Sequence, residues 1–189
     1  MKVLALNGSP RRKGTTASIL NESIKEHKDV DLRYYNLVDM NIRDCISCRH
    51  CKEHDSCSIN DDMTRIYQDM RWADAIIMAS PIYMSAETAL LKAVVDRTYA
   101  LVAYAEGGPG RYKPRLQPGK RGVALFVCGN PKGEQAYACV RDRYYEYFAF
   151  QGITKALSLI VPGIAPSMNV MESMKAQSAV NQIKEFLRG

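Results

Sequence analysis

Short apolar runs alternate with helix-length amphipathic segments along the whole of this 189-residue chain. No other feature constrains the fold as much. Lys2 to Leu6, Asp31 to Val38, Ala75 to Ser80, Gly122 to Cys128 and Ile153 to Val161 have the length and composition of strands. Between them, Thr15 to about Lys28 places Ile19, Leu20 and Ile24 on one helical face. Asp61 and Asp62 stand at the head of a segment in which Met63, Ile66, Tyr67 and Met70 recur at helical spacing. Glu87 to about Val102, Gly133 to about Phe148 and Glu172 to Leu187 read as further helices. Gly107 to Lys120, rich in glycine, proline and basic residues, reads as an exposed loop. Strands separated by helices imply a parallel sheet covered on both faces. The prediction is therefore one α/β domain over residues 1–189, a doubly wound five-stranded parallel sheet in three layers. In such sheets ligands bind beyond the carboxyl ends of the strands. That singles out the loops at Gly8–Thr16, Pro81–Ser85 and Cys128–Lys132.

One loop does not follow from the alternation. Between the second strand and the next helix, at about residues 40–60, lie Cys45, Cys48, Cys51 and Cys57, in the order C-x2-C-x2-C-x5-C. No apolar run is long enough to cross a bilayer, and the N-terminus reads as a strand rather than a secretory signal. The expected location is therefore cytoplasmic, where thiols stay reduced, which makes a disulfide framework the weaker account of the cluster. Thiolates are the ligands selected by iron–sulfur clusters and soft metals. A [4Fe–4S] cluster, a structural zinc and a metal-free loop all remain open. His50 and His54 read as exposed loop residues, and Cys128 and Cys139 as small buried hydrophobes.

The loop Asn7-Gly-Ser-Pro-Arg-Arg-Lys-Gly-Thr-Thr16 joins the first strand to the first helix. Free N–H groups at a helix start attract an anion, and here Ser9, Thr15 and Thr16 add hydroxyls and Arg11 a cation. The loop matches neither a Walker A sequence nor G-x-G-x-x-G, which disfavours ATP and a Rossmann-bound dinucleotide. A phosphate cradle beside a thiolate cage points to a flavin and a cluster, and so to electron transfer. The net charge of +6 is concentrated at Arg11, Arg12 and Lys13 and at Arg111, Lys113, Arg115, Lys120 and Arg121. No recognition motif supports nucleic-acid binding; an ordinary solvated surface, a grip on a nucleotide phosphate and a docking face for an acidic redox protein all remain open for these groups.

Three motifs carry a family resemblance: L-N-G-S-P-R-x-x-G-T-T after the first strand, A-S-P-I-Y-M-S after the third, and L-K-x-x-x-D-R in the following helix. Together they resemble the flavodoxin-like NADPH-dependent FMN reductase family over roughly residues 1 to 130. With the four cysteines, the chain is similar to the iron–sulfur flavoproteins of anaerobic archaea and bacteria. The resemblance implies that Ser9, Arg11, Thr15 and Thr16 hold the FMN phosphate. It implies that Pro81, Ile82, Tyr83, Met84 and Ser85 line the ribityl chain and flavin ring, with Gly129 approaching closely. It further implies a [4Fe–4S] cluster on Cys45, Cys48, Cys51 and Cys57, one that handling in air can remove.

The expected function is an FMN-dependent oxidoreductase passing electrons between the cluster, FMN and an acceptor such as oxygen, peroxide or a quinone. The donor would be a ferredoxin-like protein or NAD(P)H. No membrane or nucleic-acid partner is expected, and a homodimer or homotetramer is. The chemistry belongs to the cofactors, so no side chain is assigned as a general acid or base. A cluster-free NAD(P)H-dependent FMN reductase and a simple flavodoxin-like carrier are the alternatives. Asp96 and Arg97 are expected to have only a structural ion-pair or interface role.

Overall fold

The computed structural model describes residues 1–25, 30–165 and 168–189. In chain order the elements are β1 (Lys2–Asn7), α1 (Thr15–Ile24), β2 (Asp31–Asn36), α2 (His50–Glu53), α3 (Met63–Trp72), β3 (Ala75–Tyr83), β4 (Ala86–Glu87), α4 (Ala89–Arg97), β5 (Val102–Tyr104), β6 (Tyr112–Pro114), β7 (Arg121–Val127), α5 (Gly133–Ala136), α6 (Ala138–Phe150), β8 (Lys155–Val161) and α7 (Met174–Arg188). Five strands form a parallel sheet in the order β2-β1-β3-β7-β8. This is the doubly wound, flavodoxin-like order, with its topological switch between β1 and β3.

The central strands β1, β3 and β7 are apolar almost throughout because both faces are covered, while β2 at the edge is exposed or half-buried. Side chains alternate across a strand, so each run supplies two cores. Leu4, Leu6, Ile76, Met78, Ala124 and Phe126 face a core completed by α3, α4 and α6. Val3, Ala5, Ile77, Ala79, Val123, Leu125 and Val127 face the other core, completed by α1 and α7. The helices answer with 3.6-residue spacing: Val140, Tyr144 and Phe148 on α6, and Ala176, Ala179, Val180, Ile183 and Leu187 on α7. Gly122 permits the closest approach of helix to sheet. A Cβ there would lie 2.5 Å from the Phe148 ring.

Several expected elements differ. The third strand runs on to Tyr83 and folds back through Met84 and Ser85 into β4, which pairs antiparallel with it. The long helix expected from Glu87 to Val102 starts only after Thr88, whose hydroxyl caps the Leu91 N–H. It gives way to a 3₁₀ turn at Thr98–Leu101. The expected loop at 107–120 contains β6, paired antiparallel with β5. The helix expected from Gly133 divides at Tyr137 into α5 and α6. The end expected for the first helix, residues 26–28, lies outside the described residues. No helix among the described residues is long and apolar enough to cross a membrane.

The second basic group is also largely dismantled. Lys120 is buried, its ammonium donating to the carbonyls of Arg71 and Ala73. Arg121 donates to the Leu187 carbonyl at 2.8 Å. Arg115 is turned inward, as described below.

Candidate functional site

The three loops singled out by position follow β1, β3 and β7, which are neighbours in the sheet. The first two are tied together at their base. Gly8 N–H donates to the Ala79 carbonyl at 2.7 Å, and the Thr88 hydroxyl donates to the Gly8 carbonyl at 2.7 Å. The Ser80 hydroxyl accepts from the Thr88 N–H at 3.0 Å. Only glycine fits at position 8: a Cβ would stand 2.9 Å from Leu91 Cβ and 3.1 Å from the Ala79 oxygen.

Beyond Gly8 the loop is shaped by its own polar side chains. Asn7 accepts from the Ser9 N–H at 3.1 Å, and Ser9 Oγ accepts from the Arg11 N–H at 3.2 Å. Ser9 and Thr16 are buried, Thr15 is half-buried and Arg11 is exposed. Gly14 is the N-cap of α1, and no side chain caps the helix start. The first-turn N–H groups are thus left to an outside acceptor. Arg12 is held by Asp39 in a two-pronged pair at 2.8 and 2.9 Å. Among the described residues Arg11 and Lys13 have no such partner, and both line a cleft of about 380 Å³ with Gly14, Thr15 and Asn169.

At the end of β3, Pro81 is buried and Ile82 half-buried, while Tyr83, Met84 and Ser85 are exposed. Met84 (φ 46°) and Ser85 (φ 65°) both occupy the left-handed region, which non-glycine residues adopt only at a cost. This two-residue turn thrusts Met84 outward, 97% exposed. Gly129 is exposed after β7, in a loop tied to the end of β8 through Gly163 N–H to Asn130 O and Ile164 N–H to Cys128 O.

The cysteine loop is clamped onto the domain independently of any metal. Arg115 donates to the Cys51 carbonyl and to the Ala100 carbonyl, each at 2.8 Å. Lys52 donates to the carbonyls of Tyr99 and Val102, and its ammonium lies 3.2 Å from the centre of the Tyr99 ring. Asp55 pairs with Arg71 at 2.9 Å. At the base of the loop Asp61 accepts from the Arg43 N–H at 2.9 Å and from Arg97 at 2.7 Å. That ion pair is buried, with side chains 0% and 1% exposed. Burial works against the Asp61 carboxylate, and its hydrogen bonds from Arg97, Arg43 and Met63 outweigh that, holding it below the usual carboxylate range.

All four clustered cysteines wall one small, largely apolar pocket together with Ile59 and Arg97. Ser47 (φ 53°) and Arg49 (φ 62°) take left-handed conformations that wrap the loop around it. Cys45 and Cys48 are exposed, Cys57 half-buried and Cys51 buried, and all are free thiols. Cys48 Sγ lies 3.1 Å from Ser58 Oγ; this bond and the backbone around His50 hold its thiol below its ordinary pKa, while burial pushes Cys51 up. Among the described residues no three His, Cys, Asp or Glu side chains stand at the spacing of a formed metal site. The donor set and shared pocket fit a thiolate-held group; a ligand shell at bonding distance would require the loop to contract.

The remaining candidates fall out plainly. Cys128 is buried against Gly133, where an added Cβ would lie 2.2 Å from its sulfur. Cys139 is exposed, contrary to expectation. His50 is half-buried and stacks on His54 at 4.1 Å. Asp96 pairs with Lys92 on the surface of α4, and Arg97 turns inward to pair with Asp61. A larger cleft of about 700 Å³ lies between α6, β8 and α7 and contains none of the predicted residues. Sequence reasoning missed Thr88, Asp61, Lys52 and Arg115 as the side chains that fix these loops.

A doubly wound sheet with an anion-ready loop at its switch point defines a nucleotide- or flavin-binding α/β protein. The profile of the NADPH-dependent FMN reductase family matches residues 1–142, and the chain belongs to that family: it is a flavin-dependent oxidoreductase. An iron–sulfur flavoprotein of Archaeoglobus fulgidus is 36% identical over 189 residues, covering 99% of this chain and 89% of that protein. An iron–sulfur flavoprotein of Methanocaldococcus jannaschii is 32% identical over 141 residues, covering 73% of this chain and 67% of that one. The solved NAD(P)H:quinone oxidoreductase of Methanothermobacter marburgensis shares the fold, with a TM-score of 0.73, 19% identity, and coverage of 100% of this chain and 98% of that one.

Proposed function

We propose that the protein passes electrons between a [4Fe–4S] cluster on Cys45, Cys48, Cys51 and Cys57, an FMN at the carboxyl end of the sheet, and a small-molecule acceptor. The observation that carries this is the single pocket walled by all four thiols, in a loop clamped by Arg97, Lys52 and Arg115. The name shared by its relatives in two archaea supports it. When bound, FMN supplies one- or two-electron chemistry and the cluster one-electron exchange.

The chain's own residues bind and orient. The uncapped start of α1, with Ser9, Arg11, Thr15 and Thr16, would take the FMN phosphate through backbone N–H groups, hydroxyls and one cation. The Gly8–Thr88–Ser80 network would hold that loop at a fixed distance from the Pro81–Ser85 turn. Tyr83 and Met84 would pack on the flavin ring, the turn's backbone would meet its polar edge, and Gly129 would leave room for it. The donor would be a ferredoxin-like protein or NAD(P)H, and the acceptor oxygen, peroxide or a quinone. A quinone finds support in the fold shared with a quinone oxidoreductase. Exposed Ile46, Tyr83 and Met84 are apolar surface that a homodimer or homotetramer would cover.

The second reading, a cluster-free NAD(P)H-dependent FMN reductase, draws on the open spacing of the cysteines. Flavin, iron and sulfide assayed on one sample purified without oxygen separate the two. The proposal expects FMN with about four irons and four sulfides per chain, the iron lost in Cys48→Ala. FMN without iron, even after anaerobic reconstitution, sinks it and leaves the reductase.

A further inference from the structure

Arg97 lies on the stripe of α4 that carries Leu91 and Val94 into the core, yet it is a charged residue with a fully buried side chain. Its hydrogen-bond account is nearly closed. One terminal nitrogen donates to the Arg43 carbonyl at 2.7 Å and to Asp61 at 2.7 Å. The other donates to the Ile59 carbonyl at 3.2 Å and to Asp61 at 3.1 Å. A guanidinium has five N–H donors, and four are thereby used. The fifth, on Nε, is buried and has no partner. A buried donor left unpaired costs about 1–3 kcal/mol, so this one calls for a partner, and a bound group in the adjoining pocket is one that could supply it.

What Arg97 walls is the pocket of the four cysteines. Its terminal nitrogens hold the chain on both sides of them, at Arg43 before Cys45 and at Ile59 and Asp61 after Cys57. The Tyr67 hydroxyl donates to the Arg97 backbone carbonyl at 2.8 Å. The side chain is thus held by Arg43, Ile59 and Asp61 with one donor unspent, and it lines the same pocket as the four cysteines.

We propose that Arg97 is a positioning residue of the thiolate site, whose Nε–H donates to a sulfur of the bound cluster and stabilises its reduced state. The inference rests on the cluster reading of the four cysteines. Its physical basis is that a reduced cluster is one electron more negative, so an N–H donor to its sulfur binds that state more strongly and raises the potential. Asp61 cancels the charge of Arg97 locally, which leaves the directional Nε–H as the distinguishing element.

The test is a redox titration of the cluster, followed by its electron-spin resonance, in anaerobically purified wild type, Arg97→Lys and Asp61→Asn. Arg97→Lys keeps the cation and removes the Nε–H. It should lower the one-electron reduction equilibrium about tenfold, a shift of about 59 mV, and abolish the coupling of an exchangeable proton to the cluster spin. Asp61→Asn breaks the same ion pair but keeps the Nε–H and removes a negative charge, so its potential should stay or rise. A purely structural role predicts the same direction in both variants, and that result overturns the inference, as does an unchanged potential in Arg97→Lys. If Arg97→Lys does not fold, a potential in Asp61→Asn that falls below wild type overturns it, and retention of the proton coupling there supports it. Wild type that takes up no iron overturns the cluster reading itself, and this inference with it.

Discussion

Thr88 ties the loop after β1 to the end of β3, and replacing it with valine isolates that role. The two side chains have nearly the same shape, so Thr88→Val removes only the hydroxyl. Three contacts go with it: the 2.7 Å bond to the Gly8 carbonyl, the 3.4 Å cap on Leu91 N–H, and the contact with Ser80. Leaving the buried Gly8 carbonyl without its donor costs about 1–3 kcal/mol. The long cap bond contributes at the lower end of the ~0.5–2 kcal/mol range for N-caps. The sum is about 2–3 kcal/mol, and in a domain of this size each kcal/mol lowers Tm by roughly 2–4 °C. Thermal unfolding of the FMN-free protein should therefore show a fall of about 5–10 °C. FMN should bind more weakly, because ligand binding must then also order the loop. Thr88→Ser, which keeps the hydroxyl, should recover most of both effects. A Tm within about 2 °C of wild type, or unchanged FMN affinity, refutes the view that this hydroxyl fixes the loop.

Other perturbations have equally definite outcomes. Gly122→Ala drives a methyl into the Phe148 ring and should cost about 1–3 kcal/mol in denaturant unfolding, partly recovered by Phe148→Leu. Ser85→Gly relieves one left-handed residue of the β3–β4 turn and should stabilise the protein by about 1 kcal/mol, whereas Met84→Ala should leave Tm unchanged and weaken FMN binding. Alanine at Cys45, Cys48, Cys51 or Cys57 should remove bound iron, while alanine at Cys139 should not, as iron assays will record. Asp61 has a depressed pKa, so its stabilisation is present above the usual carboxylate range and lost as pH falls through the lower folded value; Asp61→Asn should flatten that acid limb in unfolding measured against pH.

The sheet was legible because its central strands β1, β3 and β7 are buried on both faces and so read as apolar runs that a covered parallel sheet explains. The β5–β6 hairpin was not, because Val102–Tyr104 and Tyr112–Pro114 are too short to show a period. The helix expected to begin at Glu87 failed for a local reason: Thr88 and its cap bond decide where α4 starts, and Ala86 and Glu87 are drawn into pairing with β3. The cysteine spacing marked out by itself the loop whose four thiols wall one pocket. The side chains that clamp it were not legible, since nothing in a linear reading says that Lys52 will reach Tyr99 or Arg115 the Cys51 carbonyl. Arg97 was the exception that a closer reading reaches, a charge on the Leu91–Val94 stripe where the helix faces the core.

The central claim is that two cofactors on one chain exchange electrons, and counting the electrons tests it most directly. Anaerobic reductive titration of the purified, cofactor-loaded protein should take up about three electrons per chain, two on FMN and one on the cluster. Iron-depleted Cys48→Ala should take up about two, all on FMN. An uptake of about two electrons in both proteins contradicts the account.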